Sequence, residues 1–209
     1  MDSVFGMTPQ WLGLISLWFG VGYLSGSIPF GLLIARLFGL GNLREIGSGN
    51  IGATNVLRTG SKPAAAGTLL LDALKGTVPV VAAMQLVNTD AALAAGFGAF
   101  VGHIMPIWLK FRGGKGVATY VGVLLGLGWH FLVVFAIVWL TLAISLRYSS
   151  LAALAASAAV PAYAMYTGDL KLALALFAMT IIVYLTHREN ISRLVKGEET
   201  RIGSKPKPS

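Results

Sequence analysis

Six apolar stretches fill most of this chain, running over residues 11–38, 64–87, 91–109, 117–146, 149–166 and 170–186. A helix that crosses hydrocarbon needs roughly 20 such residues, and only helices or closed barrels satisfy every backbone polar group there. Composition agrees: 56% of the 209 residues are hydrophobic and 11% are charged, whereas a soluble domain carries about 25% charge. Too few charged side chains remain to clothe a globule that meets water on all sides. The expected fold is an all-α integral membrane protein.

The fourth stretch fixes the number of helices. Its 30 residues would make a helix of about 45 Å, against a hydrocarbon core of ~30 Å. Gly126-Leu127-Gly128-Trp129-His130 interrupts it and suits a turn between two short helices. Seven helices result, and the basic residues orient them. With residues 36–62 inside, Lys110, Arg112, Lys115, Arg147, Arg188, Arg193, Lys196, Arg201, Lys205 and Lys207 also fall inside, fourteen of the sixteen Lys and Arg. Lys75 lies within a span and Lys171 outside, along with Asp2, Asp90 and Asp169. Six spans would carry the basic tail across, against the positive-inside tendency. The N-terminus is therefore expected outside and the C-terminus in the cytoplasm, with topology absorbing most of the net charge of +8. No basic n-region precedes the first apolar stretch and no A-x-A site follows it, so a cleaved signal peptide is not expected. Residues 1–195 read as one polytopic domain, and 196–209 as a basic, disordered cytoplasmic tail. With no Cys, disulfide, zinc-thiolate and thiol chemistry are excluded.

External loops are minimal, so the informative polar sequence is cytoplasmic. The first loop holds Gly47-Ser48-Gly49-Asn50-Ile51-Gly52-Ala53-Thr54-Asn55 and then Arg58. Its G-x-G-x-x-G spacing, with Asp72 twenty residues on, mimics a dinucleotide fingerprint. That pattern means something only between a strand and a helix, and Asp72 sits in a span. The residue types still suit an anion. Glycines let backbone N–H groups converge, Asn50, Thr54 and Asn55 can donate, and Arg58 can grip a phosphate bidentately. The same composition also suits a flexible connector. The second loop, Phe111-Arg112-Gly113-Gly114-Lys115-Gly116, is not a Walker A loop. Even so, bare backbone at Gly113 and Gly114 beside Lys115, at the start of a helix, favours an anion. Topogenic charge explains Lys110 and Arg112 equally well. The third segment, His187-Arg188-Glu189-Asn190-Ile191, places His187 and Asn190 on one helix face. A helix C-terminal end favours the protonated His187, which near a phosphate could serve as donor or base; a basic helix end is the plainer reading.

Other polar residues are ambiguous. Asp72 and Lys75 are either functional or an internal ion pair, and His103 suits a bridge between helices. Residues 25–31, with Pro29, suit a kinked and closely packed first helix. What is missing narrows the chemistry. H-x-x-x-x-D is absent, because Trp108, Phe135 and Ser192 stand five residues after the three histidines. G-x-S-x-G is absent too. Inner carboxylates are limited to Glu45, Glu189, Glu198 and Glu199, too scattered for a metal cluster, and no Arg-rich aromatic surface suggests nucleic acid.

Taken in order, Gly26-Ser27-Ile28-Pro29-Phe30-Gly31, Gly47 through Asn55, Leu71-Asp72-x-x-Lys75-Gly76, Gly102-His103-x-x-Pro106, Phe111-x-Gly113-Gly114-Lys115-Gly116-Val117-Ala118-Thr119 and His187-Arg188-Glu189-Asn190-Ile191 resemble the bacterial acyl-phosphate:glycerol-3-phosphate acyltransferases, the PlsY family. The resemblance implies seven helices, cytoplasmic active-site loops and a place in the bacterial inner membrane. It also implies transfer of a fatty acyl group from acyl phosphate to the sn-1 hydroxyl of glycerol 3-phosphate, giving lysophosphatidate and inorganic phosphate. Carried over by position, Ser48 and His187 become catalytic. Arg58 and Lys115 grip phosphate, with Asn50, Asn55 and Asn190 as hydrogen-bond partners. An acyl phosphate is already activated, so no metal, cofactor or covalent acyl-enzyme is expected. Either His187 or a donor phosphate oxygen takes the proton. A small polytopic transporter of an anionic metabolite is the alternative.

Overall fold

The computed structural model describes residues 8–203. Asp2, Lys205 and Lys207, assigned to sides of the membrane above, lie outside that range. Ten α-helices and no strand occur among the described residues. Three helical segments have the length and apolarity to cross a membrane: Pro9–Leu37, Lys62–Leu86 and Thr89–Leu109. The pair Leu170–Thr186 and Arg188–Val195, bent by 63°, makes a fourth if counted as one.

The first apolar stretch is two helices, α1 (Pro9–Gly26) and α2 (Phe30–Leu37), broken at the expected kink. Pro29 stands at the break and has no N–H to continue the ladder. A short helix α3 (Ala53–Leu57) leads into α4 (Lys62–Leu86), then α5 (Thr89–Ile104). The fourth stretch breaks where its length demanded. Helices α6 (Val117–Leu127) and α7 (Trp129–Ser145) are separated by Gly128. Helices α8 (Ser149–Tyr166), α9 (Leu170–Thr186) and α10 (Arg188–Val195) complete the chain.

Small residues set how close these helices come. A Cβ on Gly22 or Gly26 would lie 1.9 Å from the carbonyl oxygens of Ala95 and Ala99. On the facing helix, one on Gly98 or Gly102 would lie 2.2 Å from those of Phe19 and Tyr23. Each helix thus carries a small-xxx-small seam, and α1 and α5 meet backbone to backbone. Gly122 likewise rests on Ala73, joining α6 to α4. The larger core lies among α4 to α9, where Phe100, Tyr120, Leu124, Val160 and Leu176 are fully buried.

Asp72 and Lys75 form the internal ion pair. Lys75 Nζ lies 2.6 Å from Asp72 Oδ1, with both side chains 2% exposed. Nζ also donates to the Ile28 carbonyl at 2.7 Å, and Ser25 Oγ donates to the Lys75 carbonyl at 2.8 Å. The pair therefore ties α4 to the kink between α1 and α2, where the broken helix leaves a carbonyl without its usual partner. His103 extends it into α5, its Nδ1 3.7 Å from Asp72 Oδ1. Charges at this depth persist because they are paired.

The chain after α10 differs from the disordered tail expected from residue 196 onward. Ile202 N–H donates to the Arg147 carbonyl at 2.6 Å, and Arg147 Nη2 returns a bond to the Ile202 carbonyl at 2.7 Å. Arg201 Nε donates to the Tyr148 hydroxyl at 3.1 Å and its guanidinium lies over that ring. Backbone pairing to the α7–α8 turn therefore binds 196–203 to the bundle; 204–209 lie outside the described residues.

Candidate active site

At the end of the bundle where the loops after α2, α5 and α9 converge, a cavity of about 730 Å³ opens. Ser48, Asn50, Asn55, Arg58, Lys115, His187 and Asn190 line its polar mouth. Val121, Leu132, Phe135, Trp139 and Leu140 of α6 and α7 line an apolar trough running from that mouth, with Leu69 of α4. Seven of the nine residues expected at the site therefore share one cavity. Gly113 and Gly114 are not among its walls.

The first loop is built around Asn55. Its Nδ2 donates to the carbonyls of Leu43 (2.9 Å) and Asn50 (2.8 Å), which uses both hydrogens. Its Oδ1 accepts from the Ser48 N–H at 3.1 Å, with Ser48 Oγ at 3.4 Å. Asn55 is 2% exposed. The expected role of phosphate partner is corrected accordingly: its donors are consumed in shaping the loop and presenting Ser48. Gly47 has φ +55, and a Cβ there would lie 2.7 Å from Arg58 Cδ. The guanidinium stem thus crosses directly over the turn. Arg58 is half-buried, and burial lowers its pKa from the ordinary arginine value, with Glu199 acting in the opposite sense.

The second loop uses its glycines differently. Gly113 N–H donates to the Ile104 carbonyl (3.0 Å) and Gly114 N–H to the His103 carbonyl (3.1 Å). These amides are not bare, which corrects the expectation that they cradle a phosphate. The glycines are there for room: a Cβ on Gly114 would lie 2.2 Å from His103 Nε2, and one on Gly113 2.0 Å from the His103 carbonyl oxygen. With Gly113 and Gly114 pinned to α5, Lys115 is the first residue of this loop to line the cavity. Its Nζ donates to Asn190 Oδ1 and its carbonyl accepts from Thr186 Oγ1 at 3.1 Å. Burial, then Arg193, lowers the Lys115 pKa, while Glu199 and Glu189 raise it. Arg44 Nη2 donates to the Arg112 carbonyl and joins the two loops.

His187 stands at the α9–α10 bend and is 4% exposed. Its Nδ1 lies 2.8 Å from the Val183 carbonyl, which can only accept, so Nδ1 carries the proton and Nε2 keeps its lone pair. Burial brings its pKa down to about 4. The expectation that the helix end favours protonated His187 is thereby overturned, because desolvation outweighs the dipole. Ser48 and His187 hydrogen-bond to Asn55 and Val183 respectively, and no nucleophile–base pair links them.

Three residues went unselected by sequence. Glu199 lines the cavity, its Oε1 accepting from Ser150 Oγ (2.8 Å) and Asn190 Nδ2 (2.7 Å), its Oε2 from Arg193 Nε (2.7 Å). Burial pushes this carboxyl up, but those three donors outweigh it and hold the pKa below the ordinary value. In the sequence, Glu199 is one of two adjacent glutamates in a basic tail with no periodicity to place it. Ser150 and Arg193 carry no distinguishing pattern either.

A family model described as glycerol-3-phosphate acyltransferase matches residues 16–197. Glycerol-3-phosphate acyltransferases of Bradyrhizobium diazoefficiens and Brucella suis are 58% and 60% identical over 185 residues, covering 88% of this chain and 93% and 91% of theirs. Two crystal structures of PlsY (YgiH), an integral membrane glycerol 3-phosphate acyltransferase, share the fold. Its glycerol 3-phosphate form superposes with a TM-score of 0.85 at 35% identity, covering 92% of this chain and 95% of that one. Its lysophosphatidic acid form gives 0.83 at 33% identity, with 90% and 95% covered.

Proposed function

Since the chain belongs to the glycerol-3-phosphate acyltransferase family and is a membrane acyltransferase, we propose that its donor is a fatty acyl phosphate and its acceptor the sn-1 hydroxyl of glycerol 3-phosphate. The products are lysophosphatidate and inorganic phosphate. The observation that carries this reading is the two-part lining of the cavity: Arg58 and Lys115 share it with the apolar Val121, Leu132, Phe135 and Trp139. A phosphate on an alkyl chain has that same division, and the family's acceptor brings a second phosphate to the same mouth.

In the proposed reaction, Arg58 and Lys115 neutralise the two phosphates so that they lie side by side, with Asn50 as a further donor. Ser48 and His187 Nε2 hold the acceptor hydroxyl against the acyl carbonyl. The hydroxyl oxygen bonds to the carbonyl carbon, the carbon–oxygen bond to phosphate breaks, and phosphate leaves with that electron pair. A histidine held near pH 4 is a weak base, whereas the departing phosphate oxygen gains basicity as its bond breaks. The proton therefore goes to phosphate, with His187 as the acceptor that orients it. No metal and no acyl-enzyme is needed, because the donor is already activated.

Charge distribution supports a seven-span topology with N-terminus outside and the C-terminus cytoplasmic, in the bacterial inner membrane. Lys171 pairs with Asp90 at the end of the bundle opposite the cavity mouth, where the α4–α5 and α8–α9 turns lie, and the cavity's cations lie on the basic side.

The test is direct. Purified protein in lipid, given acyl phosphate and labelled glycerol 3-phosphate, should yield labelled lysophosphatidate and free phosphate, and Ser48→Ala should abolish turnover at unchanged thermal stability. Uptake of glycerol 3-phosphate into proteoliposomes without acylation would replace this reading with a transporter.

A further inference from the structure

We infer that Glu199 is a positioning residue for acyl transfer, fixing which way the Asn190 amide faces and thereby holding the Lys115 ammonium in the cavity mouth. This rests on the reading of Lys115 as a phosphate ligand.

An asparagine amide has nearly the same shape in either orientation, so its neighbours decide where the oxygen points. A carboxylate can only accept and an ammonium can only donate. Because Glu199 Oε1 takes the Asn190 Nδ2 donor at 2.7 Å, Oδ1 is turned toward Lys115, whose Nζ donates to it. The carboxylate is itself held from two further directions, by Ser150 Oγ at the start of α8 and by Arg193 Nε on α10, and its side chain is 5% exposed. A buried carboxylate with three donors is a fixed point. The segment that carries it is fixed in turn by the Arg147–Ile202 pairing.

The charges facing Lys115 make the role measurable. Arg193 and Glu189 come from α10, Arg58 from the end of α3, Glu199 from the segment beyond α10, and His187 is neutral beside them. The two carboxylates favour the ammonium and the two guanidiniums oppose it. Glu199→Gln keeps the shape but loses the charge, and its own amide can turn, so Asn190 is no longer oriented. Lys115 must be protonated to bind phosphate. Removing a nearby negative charge lowers its pKa, so the alkaline limb of the activity profile moves to lower pH.

The experiment measures kcat/KM for glycerol 3-phosphate against pH in full-length wild type, Lys115→Ala, Glu199→Gln and Glu199→Asp, with thermal stability alongside. Glu199→Gln should lose about 10- to 100-fold in kcat/KM, with its alkaline limb displaced downward by roughly half a pH unit or more. Glu199→Asp keeps the charge but falls one methylene short. It should lose about 3- to 10-fold with the limb in place. A Glu199→Gln enzyme within threefold of wild type overturns the inference. So does a rate loss with an unmoved limb, which would make Glu199 a packing residue. Should Glu199→Gln fail to fold, a Glu199→Asp enzyme as fast as wild type overturns the orienting role on its own. An inactive wild type, or an active Lys115→Ala, would instead overturn the reading on which the inference rests.

Discussion

The loop over 47–52 and the loop over 113–116 both read as glycine-rich backbone offered to an anion, and the fold gives them different constructions. In the first, a side chain organises the main chain: Asn55 gathers Leu43, Asn50 and Ser48 around itself. In the second, main chain pairs with main chain, Gly113 and Gly114 docking onto the carbonyls at the end of α5. The amides of Ser48, Gly113 and Gly114 are thereby spent on the protein, while the charged side chains Arg58 and Lys115 reach the cavity from its two sides. Glycine content signals close backbone approach; it does not say whether a ligand or another helix makes the approach.

The largest test of that contrast is Lys115→Ala, which should cost about 10²- to 10³-fold in kcat/KM with little change in melting temperature. A small loss would return the anion to the backbone. Asn55→Ala strips donors from two inward carbonyls, at a stability cost of about 1–3 kcal/mol. Its melting temperature and its turnover should therefore fall together, unlike Lys115→Ala.

His187→Gln comes next. If His187 only accepts a hydrogen bond, the loss is about tenfold, whereas a general base would cost about 10²- to 10⁴-fold. The pH profile checks the sign. His187 stays neutral down to about pH 4, so the acceptor is lost only as pH falls through that value. Wild type should show no His187 inflection between pH 6 and 8, and the limb near pH 4 should vanish in His187→Gln. The smallest effects separate the loops sterically. Gly114→Ala, with its Cβ 2.2 Å from His103 Nε2, should destabilise by about 1–3 kcal/mol. Gly49→Ala, at φ +65 with its Cβ 3.1 Å from the Arg44 carbonyl oxygen, should cost about 1–2 kcal/mol, chiefly of backbone strain.

Much of the site was legible because residue type and membrane side restrict it so heavily. In a chain this apolar, Arg58, Lys115 and His187 stand out, and the topology argument puts them at one end. Roles were harder to read. Asn50 and Asn55 are alike in sequence, yet only Asn55 is buried with both donors consumed. His187 sits at a helix end where the dipole favours charge, but only packing reveals how deeply it is desolvated. Glu199 was unreadable, since it lies beyond the last helix and its partners come from two helices, Ser150 from α8 and Asn190 and Arg193 from α10.

The sequence by itself determined that the chain is helical and membrane-embedded, that its first apolar stretch kinks and its fourth must break, and which cations could serve a phosphate. These follow from composition, length and local chemistry, which do not depend on distant contacts. Tertiary structure decided which of the polar groups are spent on the protein and which are left for a ligand. A hydrogen bond is consumed or free according to what lies within about 3 Å, and those neighbours come from helices far apart in the chain.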